Sequence, residues 1–232
     1  MAEDSDLEKT EPASPRRLEQ AREEGQVPQS RELSAFLVLM AGSGALWLTG
    51  SWLGQRIGGA VSQGLTFGRE AAFDTARLPS MFLDSAWQAL AAIGPLLLVL
   101  VVAALAGPFM LGGLNFTTKA LAPDWTRLDP VKGFGRMFSM HSVGELVKGV
   151  LKALLVGVVV VWVVLHEKEQ VFALIGQPLE RGLAAMGQTI LFSTLIIVGS
   201  MFLIVAADVP FQLWQYYRRL RMTKEEVRKE MK

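Results

Sequence analysis

Hydrophobic positions along this chain gather into four long blocks, too long to be the buried faces of soluble helices. No charged residue lies between Glu32 and Arg56, between Asp84 and Lys119, or between Arg181 and Asp208. Those gaps hold 23, 34 and 26 residues, where about 20 apolar residues suffice to cross a ~30 Å hydrocarbon layer as a helix. The pattern predicts membrane spans over residues 33–53, 86–111 and 183–207. A further span, over 146–165, is less plain because Lys148 and Lys152 sit in it. It also carries 14 Leu or Val residues. Lys152 lies about 9 Å along the axis from its start, so its ammonium can reach the interface while its stem stays in lipid. Insertion is favoured.

Local chemistry marks where elements begin and end. Ser14-Pro15 followed by a charged run and then Gly25 predicts one short helix, with serine as cap, proline at the tolerated first position and glycine as stop. Ser30 is placed to cap the first span, and Ser142-x-x-Glu145 reads as a capping box opening the third. Pro95, Pro108 and Gly112-Gly113 are the points at which the second would bend or end. Thr223-x-x-Glu226 begins another capped helix, with a Glu225–Lys229 pair on its face. Residues 54–84 read as a polar-to-mixed connector. Gly50, Gly54 and Gly58 recur at four-residue spacing, which serves either close helix approach in lipid or nothing more than a glycine-rich exit.

Composition agrees and removes several classes of function. The hydrophobic fraction is 51 %; with the 22 glycines it reaches about 60 %, above the roughly 45–50 % of soluble domains. A net charge of +1 offers no basic field for nucleic acid. With no cysteine there is no disulfide scaffold and no thiolate chemistry. Residues 1–32 carry nine acidic and five basic side chains, so the N-terminus lacks the apolar core of a cleavable signal and the first span is retained.

Charge asymmetry orients the chain. The N-terminal tail, the 115–145 loop and the stretch from 208 hold 16 Lys and Arg residues, against 5 in the two connectors on the other side. The positive-inside rule places both termini and the central loop in the cytoplasm. The expected fold is an all-α integral membrane protein with four transmembrane helices as two hairpins joined by a long cytoplasmic loop. Its segments are a tail with a short helix over 1–32, a first hairpin over 33–114, the loop over 115–142, a second hairpin over 143–210 and the start of a linker helix over 211–232.

That loop carries the most information. Phe116, Trp125, Phe134 and Phe138 alternate with basic residues in it. Such a segment suits docking onto a protein at the membrane surface; the alternative is a loop lying in the headgroups, aromatics at the interface and basic groups on lipid phosphate.

The tail reads Glu8-Lys9-Thr10-Glu11-Pro12, Ser14-Pro15-Arg16-Arg17-Leu18, Ala21-Arg22-Glu23-Glu24-Gly25-Gln26-Val27 and Ser30-Arg31-Glu32-Leu33. The loop reads Leu128-Asp129-Pro130-x-Lys132-Gly133-x-x-Arg136-x-Phe138-Ser139, leading into Glu145-Leu146-x-Lys148-x-x-x-Lys152. In order, spacing and topology these motifs resemble the FlhB/YscU/SctU family of type III export-gate subunits, across essentially the whole chain. The tail is closer to the flagellar branch than to the virulence branch. The resemblance implies an inner-membrane subunit of the flagellar type III export gate, whose hairpins surround a pore of FliP, FliQ and FliR. It further implies FlhA and exported flagellar subunits as partners, and a loop that wraps the cytoplasmic mouth of the pore. It places Trp125, Asp129, Pro130, Lys132, Gly133, Arg136, Phe138 and Ser139 on the partner-binding loop, and Glu145, Lys148 and Lys152 at the membrane interface.

Family members cut themselves at Asn-Pro-Thr-His in a further cytoplasmic domain that switches export specificity. The one asparagine here is Asn115, followed by Phe116. Self-cleavage and switching are thus expected outside these residues, with the native chain either continuing past Lys232 or carrying a short tail.

No catalytic constellation competes with this reading. The two histidines, His141 and His166, fall on opposite sides of the membrane in the expected topology, and neither HExxH nor G-x-S-x-G occurs. No cofactor, metal or catalytic residue is implied. A stand-alone transporter is the second class to weigh, since ionisable residues inside a span are functional by default. Lys148 and Lys152 share one helix face. They serve either as snorkelling anchors or as contacts to gate subunits or anionic lipid. Gln188, Thr189, Ser193 and Thr194 make interhelical bonds more readily than a solute path.

Overall fold

The computed structural model describes residues 10–66, 78–113, 115, 117 and 140–230. Among them the chain is helical, apart from turns and one isolated bridge between Glu11 and Met222. The helices are α1 (Pro15–Glu23), α2 (Arg31–Leu65), α3 (Leu78–Gly112), α4 (Met140–Ala173), α5 (Leu179–Arg219) and α6 (Lys224–Glu230), with a 3-10 turn, Leu174–Gly176, before α5. Four of them are long and apolar enough to cross a membrane. This is an all-α membrane protein.

The end signals work mostly as chemistry dictates. Ser14 accepts from Arg17 N–H and Pro15 opens α1; Gly25 stops the segment with φ +80°. Ser30 Oγ accepts from Leu33 N–H at 3.1 Å and caps α2. Gly113, at φ +68°, follows the last residue of α3, the left-handed stop that glycine takes without strain. Thr223 and Glu226 form the reciprocal box, with Thr223 N–H donating to Glu226 at 2.8 Å and Glu226 N–H to Thr223 Oγ1 at 3.3 Å.

Three boundaries differ from the sequence reading. Helix α2 runs to Leu65 and α3 starts at Leu78, so much of the connector expected over 54–84 is helical. Hydropathy marks the stretch that sits in hydrocarbon, whereas hydrogen bonding carries a helix on past the interface. Helix α4 opens at Met140, two residues before Ser142, so the predicted box lies inside the helix. Pro95 and Pro108 sit inside α3 and do not end it.

The long helices measure 34 to 41 residues, or about 51–62 Å at 1.5 Å per residue, well beyond a ~30 Å core. At most 17 % of the apolar window of any of them is buried within the chain. Their outer faces therefore need lipid or other subunits.

Two compact units form. One comprises the described residues of Ala35–Leu105 and Val156–Met201. There Gly42 on α2 accepts Leu100 of α3, and a Cβ at Gly42 would sit 2.9 Å from Leu100 Cδ2. Gly50 lies against Leu191 of α5, whereas Gly54 and Gly58 face open space. Only the first glycine of the four-spaced stripe packs within the unit. Ser43 returns its hydroxyl to Leu39 C=O at 2.6 Å, a packing role.

Candidate functional site

The second unit, made of the described residues of Met1–Ser34, Ala106–Leu155 and Phe202–Lys232, holds the polar constellation. It is built around the start of α2. Ser30 is 3 % exposed. While its Oγ accepts from Leu33 N–H, the same hydroxyl donates to Asp208 Oδ2 of α5 at 2.6 Å. Two residues on, Glu32 Oε1 receives Lys152 Nζ of α4 at 2.6 Å, with side chains 29 % and 31 % exposed. One turn back on α4, Lys148 Nζ stands 4.2 Å from the centroid of the Phe211 ring on α5. The first turn of α2 is thereby pinned to α4 and α5 by charge-assisted contacts.

Backbone approach tightens the same region. A Cβ at Gly107 of α3 would fall 2.4 to 2.8 Å from Ser34, including 2.7 Å from its Cα, so only glycine fits there. Gly112 meets Val27 at 3.1 Å on the same measure.

The N-terminal tail is stitched to both neighbouring segments. Glu11 and Met222 exchange two main-chain hydrogen bonds of 3.0 Å, and Ser14 Oγ donates to Glu230. Asn115 and Thr117, at the start of the loop, donate side-chain hydrogen bonds to the C=O groups of Arg22 and Glu23. Those carbonyls belong to the last turn of α1, and that of Arg22 also accepts from Gly25 N–H at 2.9 Å. Tyr216 OH donates to Gln26 C=O at 3.2 Å. A nine-residue helix is marginal alone; these contacts hold it.

The residues expected to bind partners, Trp125, Asp129, Pro130, Lys132, Gly133, Arg136, Phe138 and Ser139, lie outside the described residues. Of the interface set, Glu145 is in α4, with its side chain outside the described set. Lys148 and Lys152 are brought together with groups that sequence reasoning did not pair with them. Ser30 was expected as a cap, Asp208 as the end of a span, and Glu32 as the edge of an apolar gap, with Ser30 and Glu32 also in the tail motif; none was paired with another. The available signal was that all these polar residues flank apolar blocks at edges placed on one side of the membrane. Among the described residues no group of three or more His, Asp or Glu is placed to hold a metal ion. His166 stacks on Trp162, ring centroids 5.3 Å apart.

A chain whose tail, first span edge and post-span segment are tied together around a loop start can be compared with known proteins. Residues 7–232 match the family described as FlhB HrpN YscU SpaS. The chain belongs to that family. Within the FlhB HrpN YscU SpaS family it is 38 % identical to the flagellar biosynthetic protein FlhB of Salmonella typhimurium, over 100 % of this chain and 61 % of that protein. Identity to FlhB of Bacillus subtilis is 27 %, over 97 % of this chain and 62 % of the relative. The hypersensitivity response secretion protein HrcU of Ralstonia nicotianae is 30 % identical, over 97 % and 63 %. The chain thus spans about three fifths of the length of these relatives. The relatives are named for flagellar biosynthesis and secretion, not for a catalytic activity.

Proposed function

We propose that the protein is a subunit of the flagellar type III export gate in the bacterial inner membrane, with both termini and the 115–142 loop in the cytoplasm. It braces and gates a pore built by other subunits, with FliP, FliQ, FliR and FlhA as partners and exported flagellar subunits as cargo. The observation that carries this reading is the family match through residues 7–232, which includes the 128–139 motif, joined to 38 % identity with a flagellar relative. The excess of Lys and Arg on the tail, loop and post-span side supports the orientation. The low burial of the spans supports a protein that rests on lipid and other subunits. The bonds of Asn115 and Thr117 to the end of α1 give the loop a fixed point of departure.

A solitary transporter fits less well. Lys152, the ionisable group that would line its path, is engaged by Glu32. The test is alanine substitution across residues 128–139 in the native organism. Motility and export should be lost while membrane insertion stays normal; normal export from that variant removes the loop from the mechanism.

A further inference from the structure

A cavity of about 330 Å³ opens between the stretch preceding α2 and the last turns of α5. That is the low end of the size range of small-ligand sites. Val27, Pro28 and Leu220 give it apolar lining, and Gln29, Gln215 and Arg219 give it polar lining. Other lining groups are already committed: Tyr216 OH to Gln26 C=O, and Gln212 to Asp208, itself held by Ser30. Val27 is braced against Gly112. The walls are thus fixed from both sides. Among the described residues, the side chains of Gln29, Gln215 and Arg219 have no hydrogen bond or ion pair. The lining therefore offers two carboxamides, each both donor and acceptor, and one guanidinium, uncommitted among the described residues.

We propose that this cavity binds a short stretch of extended polypeptide, carrying a carboxylate, supplied by another protein. A carboxamide matches the N–H and C=O of a main chain regardless of sequence, and a guanidinium grips a carboxylate through paired N–H groups. The apolar lining takes a small side chain. Pinned walls spare the ligand the cost of ordering the site. A lipid headgroup is the poorer fit. A phosphodiester carries no N–H or O–H, so it would leave the carboxamide oxygens of Gln29 and Gln215 without a donor, which a main chain supplies. The proposal stands on this chemistry and not on the export role.

The test uses the protein purified from its membrane and reconstituted in nanodiscs, with fluorescein-labelled Ser-Glu-Ala-Ser-Glu-Ala as probe, read by fluorescence polarisation. Saturable binding is expected, weakened about tenfold or more in Gln29→Leu/Gln215→Leu. Arg219→Gln should weaken the acidic probe about fivefold and leave a neutral Ser-Ala probe unchanged. Gln215→Glu, which sets a carboxylate beside Arg219, should weaken acidic binding at least as much as Arg219→Gln, and it decides the matter if the double variant loses helical content. Absent saturable binding, or equal affinity in all variants, overturns the proposal. So does the headgroup outcome, in which Arg219→Gln weakens binding to anionic vesicles while peptide binding is unmoved.

Discussion

Removing the Ser30 hydroxyl is the sharpest perturbation of the pinned base. Ser30→Ala deletes two bonds at once. Loss of the cap on Leu33 N–H costs typically ~1 kcal/mol. Loss of the bond to the Asp208 carboxylate costs about 1.5–3 kcal/mol, the range for bonds to charged groups. At a position 3 % exposed, solvent cannot step in, so the expected sum is about 2.5–4 kcal/mol. Ser30→Thr retains both bonds and should cost under about 1 kcal/mol. The assay is reversible unfolding in detergent micelles, run as a cycle with Asp208→Ala. If the hydroxyl holds the carboxylate, the double variant is less destabilised than the sum of the singles, by about 1.5 kcal/mol or more. Additivity within about 0.5 kcal/mol, the behaviour of independent sites, would refute the contact.

Three further outcomes follow from the same geometry. Lys152→Leu should insert normally yet leave Glu32 unpaired, weakening co-purification with gate subunits several-fold, and the charge swap Glu32→Lys/Lys152→Glu should recover it; unchanged co-purification means the lysine only anchors at the interface. Gly107→Ala should destabilise by about 2 kcal/mol or more in thermal unfolding, because its Cβ would meet backbone, whereas Gly54→Ala, facing open space, should be neutral or gain up to ~1 kcal/mol of helix propensity. Asn115→Ala/Thr117→Ala should free the end of α1, seen as about tenfold faster amide hydrogen exchange over Pro15–Glu23 with the spans unaffected.

What could be read from the sequence follows the range of the forces involved. The caps at Ser14, Ser30 and Thr223 and the stops at Gly25 and Gly113 are settled within a turn of their own residues, and they appear as expected. The spans were legible because an uncharged gap longer than 20 residues has few other uses. Their ends were not, since helical hydrogen bonding outlasts the hydrocarbon: the span drawn over 33–53 is part of a helix reaching Leu65. Ser142 failed as a start signal because a cap is a local preference, and the chain is already helical at Met140. The contacts that build the site were beyond reach. Glu32 and Lys152 are 120 residues apart and Ser30 and Asp208 are 178 apart, and only the folded arrangement of the helices pairs them. Gly107 is likewise legible as a small residue, but its contact with Ser34 is a fact of packing.

The proposed export role sets the 115–142 loop against the pore subunits on the cytoplasmic side. The chain has no cysteine, so Lys132→Cys is a unique handle for a short thiol-directed photo-crosslinker in native membranes. The predicted result is specific adducts with the pore subunits, formed when the reagent reaches the cytoplasmic face. Adducts with lipid alone, or labelling of position 132 by an impermeant thiol reagent from the periplasm, would contradict it.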